Sequence, residues 1–161
     1  MKLKFTALYV ALIVLINYAF SVVPLVELPG GTMWPPVSLA VGFVFVFRDF
    51  AQREVGHRVL GAMLVGAAIS YFMSSPAIAL ASAGAFLVSE LADWAVYSFT
   101  RRPLSQRILF SSALGAPVDS IVFLAGVGLL SGPGVAAMAA SKMLGALAVW
   151  WMVRRRELAA A

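Results

Sequence analysis

The chain has 161 residues, 62% of them hydrophobic and only 12% charged, with a mean hydropathy of +0.95. Soluble domains carry roughly a quarter charged residues, so a soluble globular protein is excluded and an integral membrane protein is expected. No cysteine is present, which removes disulfides, thiolate metal sites and cysteine nucleophiles. The net charge of +5 sits in short basic clusters between apolar runs, a pattern of membrane loops rather than of a nucleic-acid surface.

Lys2 and Lys4 precede an apolar run over residues 5–23. Its 19 residues exceed the roughly 7–15 of a signal-peptide core, and no small-x-small cleavage pattern follows. It is read as an uncleaved first transmembrane helix, with Asn17 as its one strongly polar residue. Residues 24–35 hold three prolines, Gly30, Gly31 and Trp34 but no Lys or Arg, and read as an external loop closed by an interfacial tryptophan.

Pro36 suits the first turn of a second helix. From Pro36 to Phe47 there are only 12 residues before Arg48, about 18 Å of helix against about 30 Å of hydrocarbon. The helix must therefore continue through Arg48 to Val55, with Gly56 as its stop. Asp49 and Arg53 then stand at i, i+4, with Gln52 beside them. Either this stretch is a solvated ion-pair face at the interface, or Asp49 and Gln52 line the inner end of a cavity. His57, between Arg53 and Arg58, reads as a solvated or headgroup-facing side chain, because a lone histidine lacks the partners that catalysis or metal binding needs.

A third helix spans 59–73, with Gly61 and Gly66 allowing close helix approach. Ser74, Ser75 and Pro76 make an uncharged outer turn before a fourth helix over 77–99. On that helix Ser82, Phe86, Ser89 or Glu90, Asp93 and Tyr97 recur at helical spacing as an inward stripe. A basic loop over 101–107 leads to a fifth helix over 108–130, with Ser112, Gly115, Asp119 and Phe123 on one side and Pro117 loosening the turn before it. After a turn over 131–134, a sixth helix over 135–153 carries Ser141, Lys142 and Gly145.

The basic residues test this layout. Of twelve, two lie in the N-terminal tail, three between 48 and 58, three between 101 and 107, and three after Val153; the twelfth is intramembrane Lys142. The other turns have none. The positive-inside rule then predicts six crossings with both termini cytoplasmic. The fold class expected is all-α, a polytopic membrane protein in one domain.

Glu90, Asp93 and Asp119 are costly in such a setting, at about 2.5–3.5 kcal/mol each at membrane depth. They should face one another, Lys142, or a ligand. One reading is structural: Lys142 pairs with Asp119 or Glu90 and the remaining acids fix helix register. The functional reading is a midplane pocket whose carboxylates accept hydrogen bonds from a ligand rich in N–H groups, such as a guanine-like ring edge. Trp94, Phe86, Phe123 or Trp34 could supply a stacking face. Catalysis is weakly supported, since no metal cluster, phosphate loop or nucleophile with a nearby histidine is present, and no cofactor is expected.

These residues resemble the VUT family of queuosine-precursor transporters, which take up 7-cyano-7-deazaguanine (preQ0) and related bases. The likeness covers Trp34 to Gly56 with Asp49, then Ser89-Glu-Leu-Ala-Asp93 followed by Val96-Tyr97-Ser98. It continues through Ser111-Ser112, Gly115, Asp119-Ser120 and Phe123 to Lys142. In that family a polar residue commonly precedes the aspartate of the fifth helix and threonine follows it; here Val118 and Ser120 take those places. The resemblance implies a fold similar to the substrate-binding subunits of energy-coupling-factor transporters. It also implies an inner-membrane importer of a purine-like base, with Glu90, Asp93, Asp119 and Lys142 at the pocket and Asp49, Gln52 and Asn17 as further contacts. No ATP-binding motif is present, so energy would come from an ion gradient, downstream trapping or a separate energising subunit. Two alternatives stand beside this: a binding subunit for another vitamin-like solute, and a membrane-embedded enzyme.

Overall fold

The computed structural model describes residues 3–73, 76–100 and 102–159, without the side chains of residues 70, 76–79 and 82. The expected turn at Ser74 and Ser75, and Ser82 of the inward stripe, therefore lie outside the described residues. Helix α1 (Lys4–Val22) leads into a short hairpin, β1 (Val26–Leu28) and β2 (Thr32–Trp34). Helices α2 (Ser38–Val55) and α3 (Val59–Met73) follow, joined by one 3-10 turn over Gly56–Arg58. Then come α4 (Pro76–Phe99), α5 (Leu104–Gly126) and α6 (Gly132–Ala159).

The stretch expected as an external loop forms a two-stranded hairpin. Val26 pairs with Trp34 and Leu28 with Thr32 in antiparallel register. The tip can close because Gly30 and Gly31 take φ of 96° and 78°, a region open to glycine, and the Gly31 N–H reaches the Leu28 carbonyl at 3.1 Å. Trp34 then donates its indole N–H to Ser141 Oγ at 3.0 Å, pinning the hairpin to α6.

Two helices differ in extent from the expected ranges. The fifth starts at Leu104, directly after Pro103, because Ser105, Gln106 and Arg107 form a polar first turn rather than a loop. It ends at Gly126, where Gly128 at φ 72° closes a Schellman motif. The Leu129 N–H reaches the Leu124 carbonyl at 2.9 Å, and the Gly128 N–H reaches that of Ala125 at 3.2 Å. Pro117 lies within this helix without ending it. The sixth runs past the arginine cluster to Ala159, and Glu157 is what ties down its end. The Ser105 N–H and hydroxyl donate to Glu157 at 3.2 and 2.5 Å, so the carboxylate caps the N-terminus of α5. Glu157→Ala is expected to cost about 1 kcal/mol, read as a melting temperature lower by about 2–4 °C in detergent.

Neighbouring helices close into a ring in the order α1, α3, α4, α5, α6, α2, with α2 also reaching across to α5 and α4. This placement explains why α2 buries Arg48, Asp49 and Gln52 along with its apolar residues. The packing is inverted relative to a soluble protein. Arg48, Asp49, Glu90 and Asp93 are fully buried, whereas Leu64, Phe72 and Leu144 are 63%, 83% and 60% exposed. Apolar side chains this exposed are stable against lipid, not water. Among the described residues, four helical stretches are long and apolar enough to cross a membrane: Lys4–Val22, Ser38–Met73, Leu104–Gly126 and Gly132–Ala159.

Close approach is supplied by particular glycines. A Cβ at Gly66 would meet Ile13 Cδ1 of α1 at 2.5 Å, as the sequence suggests, but Gly61 faces open space and has no such role. The tightest contact is at Gly42, packed on the main chain of Lys142.

Candidate functional site

Two buried polar clusters meet at the centre of the bundle. The first is built around Arg48. Its Nη1 lies 2.9 Å from Asp49 Oδ1, its Nη2 pairs with Asp93, and its Nε is 3.6 Å from Glu90 Oε2. The guanidinium fork, with five N–H donors in a plane, suits this three-sided arrangement better than an ammonium would. Neutral groups complete the cluster. Tyr9 donates its hydroxyl to Glu90 Oε2 at 2.7 Å, and Ser111 donates to Asp49 Oδ2 at 2.9 Å. Arg48 Nη1 also donates to Gln52 Oε1 at 2.7 Å, and Gln52 donates to Ser98 Oγ at 2.8 Å. One guanidinium thus holds together three carboxylates from α2 and α4, an arrangement in which each acid depends on the same cation.

The second cluster joins α4, α5 and α6. Lys142 pairs with Asp119 and donates to Ser120 Oγ at 3.0 Å, while Ser89 donates to the other Asp119 oxygen at 3.2 Å. Lys142 is buried, but the Asp119 side chain keeps 16% of its surface open.

Between the clusters lies a cavity of about 60 Å³ with Glu90, Asp119, Lys142 and Asn17 among its walls, and Phe20, Phe45, Phe86 and Phe123 as its aromatic faces. Since about 10–15 Å³ accommodates one water, the cavity has room for a few waters. Glu90 belongs to both places: Oε2 is engaged by Tyr9 and Arg48, whereas buried Oε1 makes no hydrogen bond among the described residues. A buried acceptor without a donor costs about 1–3 kcal/mol, which a ligand N–H would offset. On the hairpin side a larger cavity of about 300 Å³, lined by Val23, Pro24, Met33 and Leu129, shares Asn17, Phe20 and Phe123 with the first. The Phe20 and Phe123 rings, with centroids 6.2 Å apart, stand at this shared boundary.

The sequence-derived residues are thus divided. Glu90, Asp119, Lys142 and Asn17 line the central cavity; Asp93, Asp49 and Gln52 do not, and instead form the Arg48 cluster beside it. Asp49 turns inward to Arg48 and Ser111 rather than pairing with Arg53 as its i, i+4 spacing suggests. Of the stacking candidates, Phe86 and Phe123 reach the cavity. Trp34 is held by Ser141, and Trp94 donates to exposed His57 at 3.3 Å. Sequence reasoning did not identify Arg48 as the organising cation, although the short apolar run before it already requires a charged residue at depth. It also missed Tyr9 and Phe20, which carry no signal beyond being aromatic residues in an apolar helix.

The model of a family described as "Putative vitamin uptake transporter" matches residues 5–154, nearly the whole chain. No curated protein and no solved structure matches it.

Proposed function

Because the chain belongs to the vitamin uptake transporter family, we propose that it imports a queuosine precursor, 7-cyano-7-deazaguanine or a related deazapurine base, across the inner membrane. The observation that carries this reading is the central cavity, which Glu90, Asp119 and Lys142 line among aromatic side chains, together with a buried Glu90 oxygen that makes no hydrogen bond among the described residues. Glu90 and Asp119 accept N–H groups of the base, Lys142 donates to its carbonyl, and Phe86 or Phe123 stacks on its face. Asn17 adds a contact at the mouth, while Asp93, Asp49 and Gln52 hold Glu90 in place through Arg48. The base reaches the site through the outer cavity by displacing the Phe20–Phe123 boundary. A six-crossing single domain with both termini cytoplasmic accommodates this path, by the distribution of basic residues. Energy comes from an ion gradient, downstream trapping or a separate energising subunit, and no bond of the solute is altered.

Calorimetric titration of 7-cyano-7-deazaguanine into purified protein tests the proposal. Saturable binding is expected in the wild type. Glu90→Gln and Asp119→Asn are each expected to weaken it by roughly 10- to 100-fold, the range for a hydrogen bond to a charged group. Well-folded wild-type protein that binds neither this base nor guanine nor adenine would overturn the assignment and favour another vitamin-like solute.

A further inference from the structure

At the arginine-rich end of the bundle a separate cavity of about 520 Å³ opens between α2, α5, α6 and the α4–α5 connection. Four arginines line it: Arg53 from α2, Arg102 from the connection, Arg107 from α5 and Arg156 from α6. Its one acid is Glu157, whose two oxygens already accept from Ser105. Among the described residues no carboxylate lies within ion-pair distance of any of these four arginines; the ion pairs are those of Arg48 and Lys142.

Two of the four are held in place. Arg107 Nε donates to the Arg102 carbonyl at 2.6 Å and its guanidinium lies 5.1 Å from the centre of the Tyr97 ring, while Arg102 donates to Gln106 at 3.2 Å. These contacts use few of the available N–H groups. Unneutralised cations gathered around one cavity repel each other, and a phosphate with its fan of acceptor oxygens relieves that repulsion through bidentate bonds. The cavity also has an apolar side made of Phe50, Leu104 and Val153. A free phosphate has no use for such a wall, but the glycerol ester of a lipid does, and basic pockets between membrane helices are known headgroup sites. We propose that this cavity binds the phosphate headgroup of an anionic phospholipid, independently of what the central pocket carries.

The test is a titration of phosphatidylglycerol into the purified full chain in neutral detergent, read as a melting-temperature shift, with phosphatidylcholine and inorganic phosphate as parallel probes. Saturable stabilisation by phosphatidylglycerol alone is expected. The pair Arg53→Gln and Arg156→Gln should weaken it by roughly five-fold per guanidinium removed, about 25-fold together. The pair Arg154→Gln and Arg155→Gln removes the same charge from residues that stack on Trp150 and Trp151 outside the cavity; it should keep the wild-type affinity within about three-fold. All four side chains are exposed, so the unliganded melting temperatures should match the wild type. Equal loss in both pairs, or equal stabilisation by phosphatidylcholine, would overturn the site. Inorganic phosphate acting as well as the lipid would overturn the lipid as its occupant.

Discussion

Arg48→Met is expected to destabilise the protein by about 3–5 kcal/mol, the range for removing one partner from a buried ion pair, and so to remove a large share of its stability. Total stabilities are only about 5–15 kcal/mol. Methionine roughly fills the arginine's volume, so the effect is electrostatic rather than a cavity. It leaves Asp49, Glu90 and Asp93 buried within one cluster with no cation between them. Tyr9, Ser111 and Gln52 remain, but neutral dipoles do not replace a full charge in a low-dielectric interior. Arg48→Lys is expected to fall between, because one ammonium on a flexible stem cannot face three carboxylates in the geometry of the fork. Thermal unfolding in detergent reads both. A melting temperature unchanged by Arg48→Met would mean that the three acids do not depend on Arg48, and would remove the cluster as the support of Glu90.

Gly42→Ala is expected to cost at least the upper end of the about 1–3 kcal/mol typical of overpacking and to remove solute binding as well. The added methyl would fall on the carbonyl oxygen of Lys142, with the carbonyl carbon at 2.9 Å and Cα at 3.2 Å. These are main-chain atoms of a helix, which cannot rotate aside as a side chain can. Across the same interface Gly145 would place its own Cβ 3.4 Å from Gly42 Cα, so α2 and α6 meet through two hydrogen-only surfaces. Separating them displaces Lys142 from Asp119 and Ser120, which is why a change with no polar atom should alter the pocket. Gly61→Ala is the matched control, since among the described residues nothing lies within 4 Å of its Cβ position. It should be neutral or stabilising by up to about 1 kcal/mol through helix propensity. Similar losses in the two variants would show that the cost comes from the membrane insertion of the chain rather than from the α2–α6 contact.

The sequence by itself determined the membrane class, the approximate helical segments and the identity of most polar residues at depth. Apolar run length and the spacing of basic clusters are properties of a chain against a bilayer, and need no knowledge of neighbours. It also established that Glu90, Asp93 and Asp119 require partners, because an unpaired charge in hydrocarbon is costly wherever the helix sits. Periodicity places Glu90, Asp93 and Tyr97 on one stripe, but it does not say which stripe of another helix that one meets. That depended on the tertiary arrangement: α2 reaches across the ring, which brings its Arg48 beside Asp93 of α4, while the adjacency of α5 and α6 leaves Lys142 to Asp119. Local i, i+4 spacing left Asp49 either on a solvated face with Arg53 or at the inner end of a cavity, and the structure pairs it with Arg48 because this part of α2 is buried against its neighbours rather than solvated. For the same reason only the tertiary structure separated Gly42, pressed on α6, from Gly61, facing open space. A glycine's value at a helix contact depends on which backbone arrives opposite it.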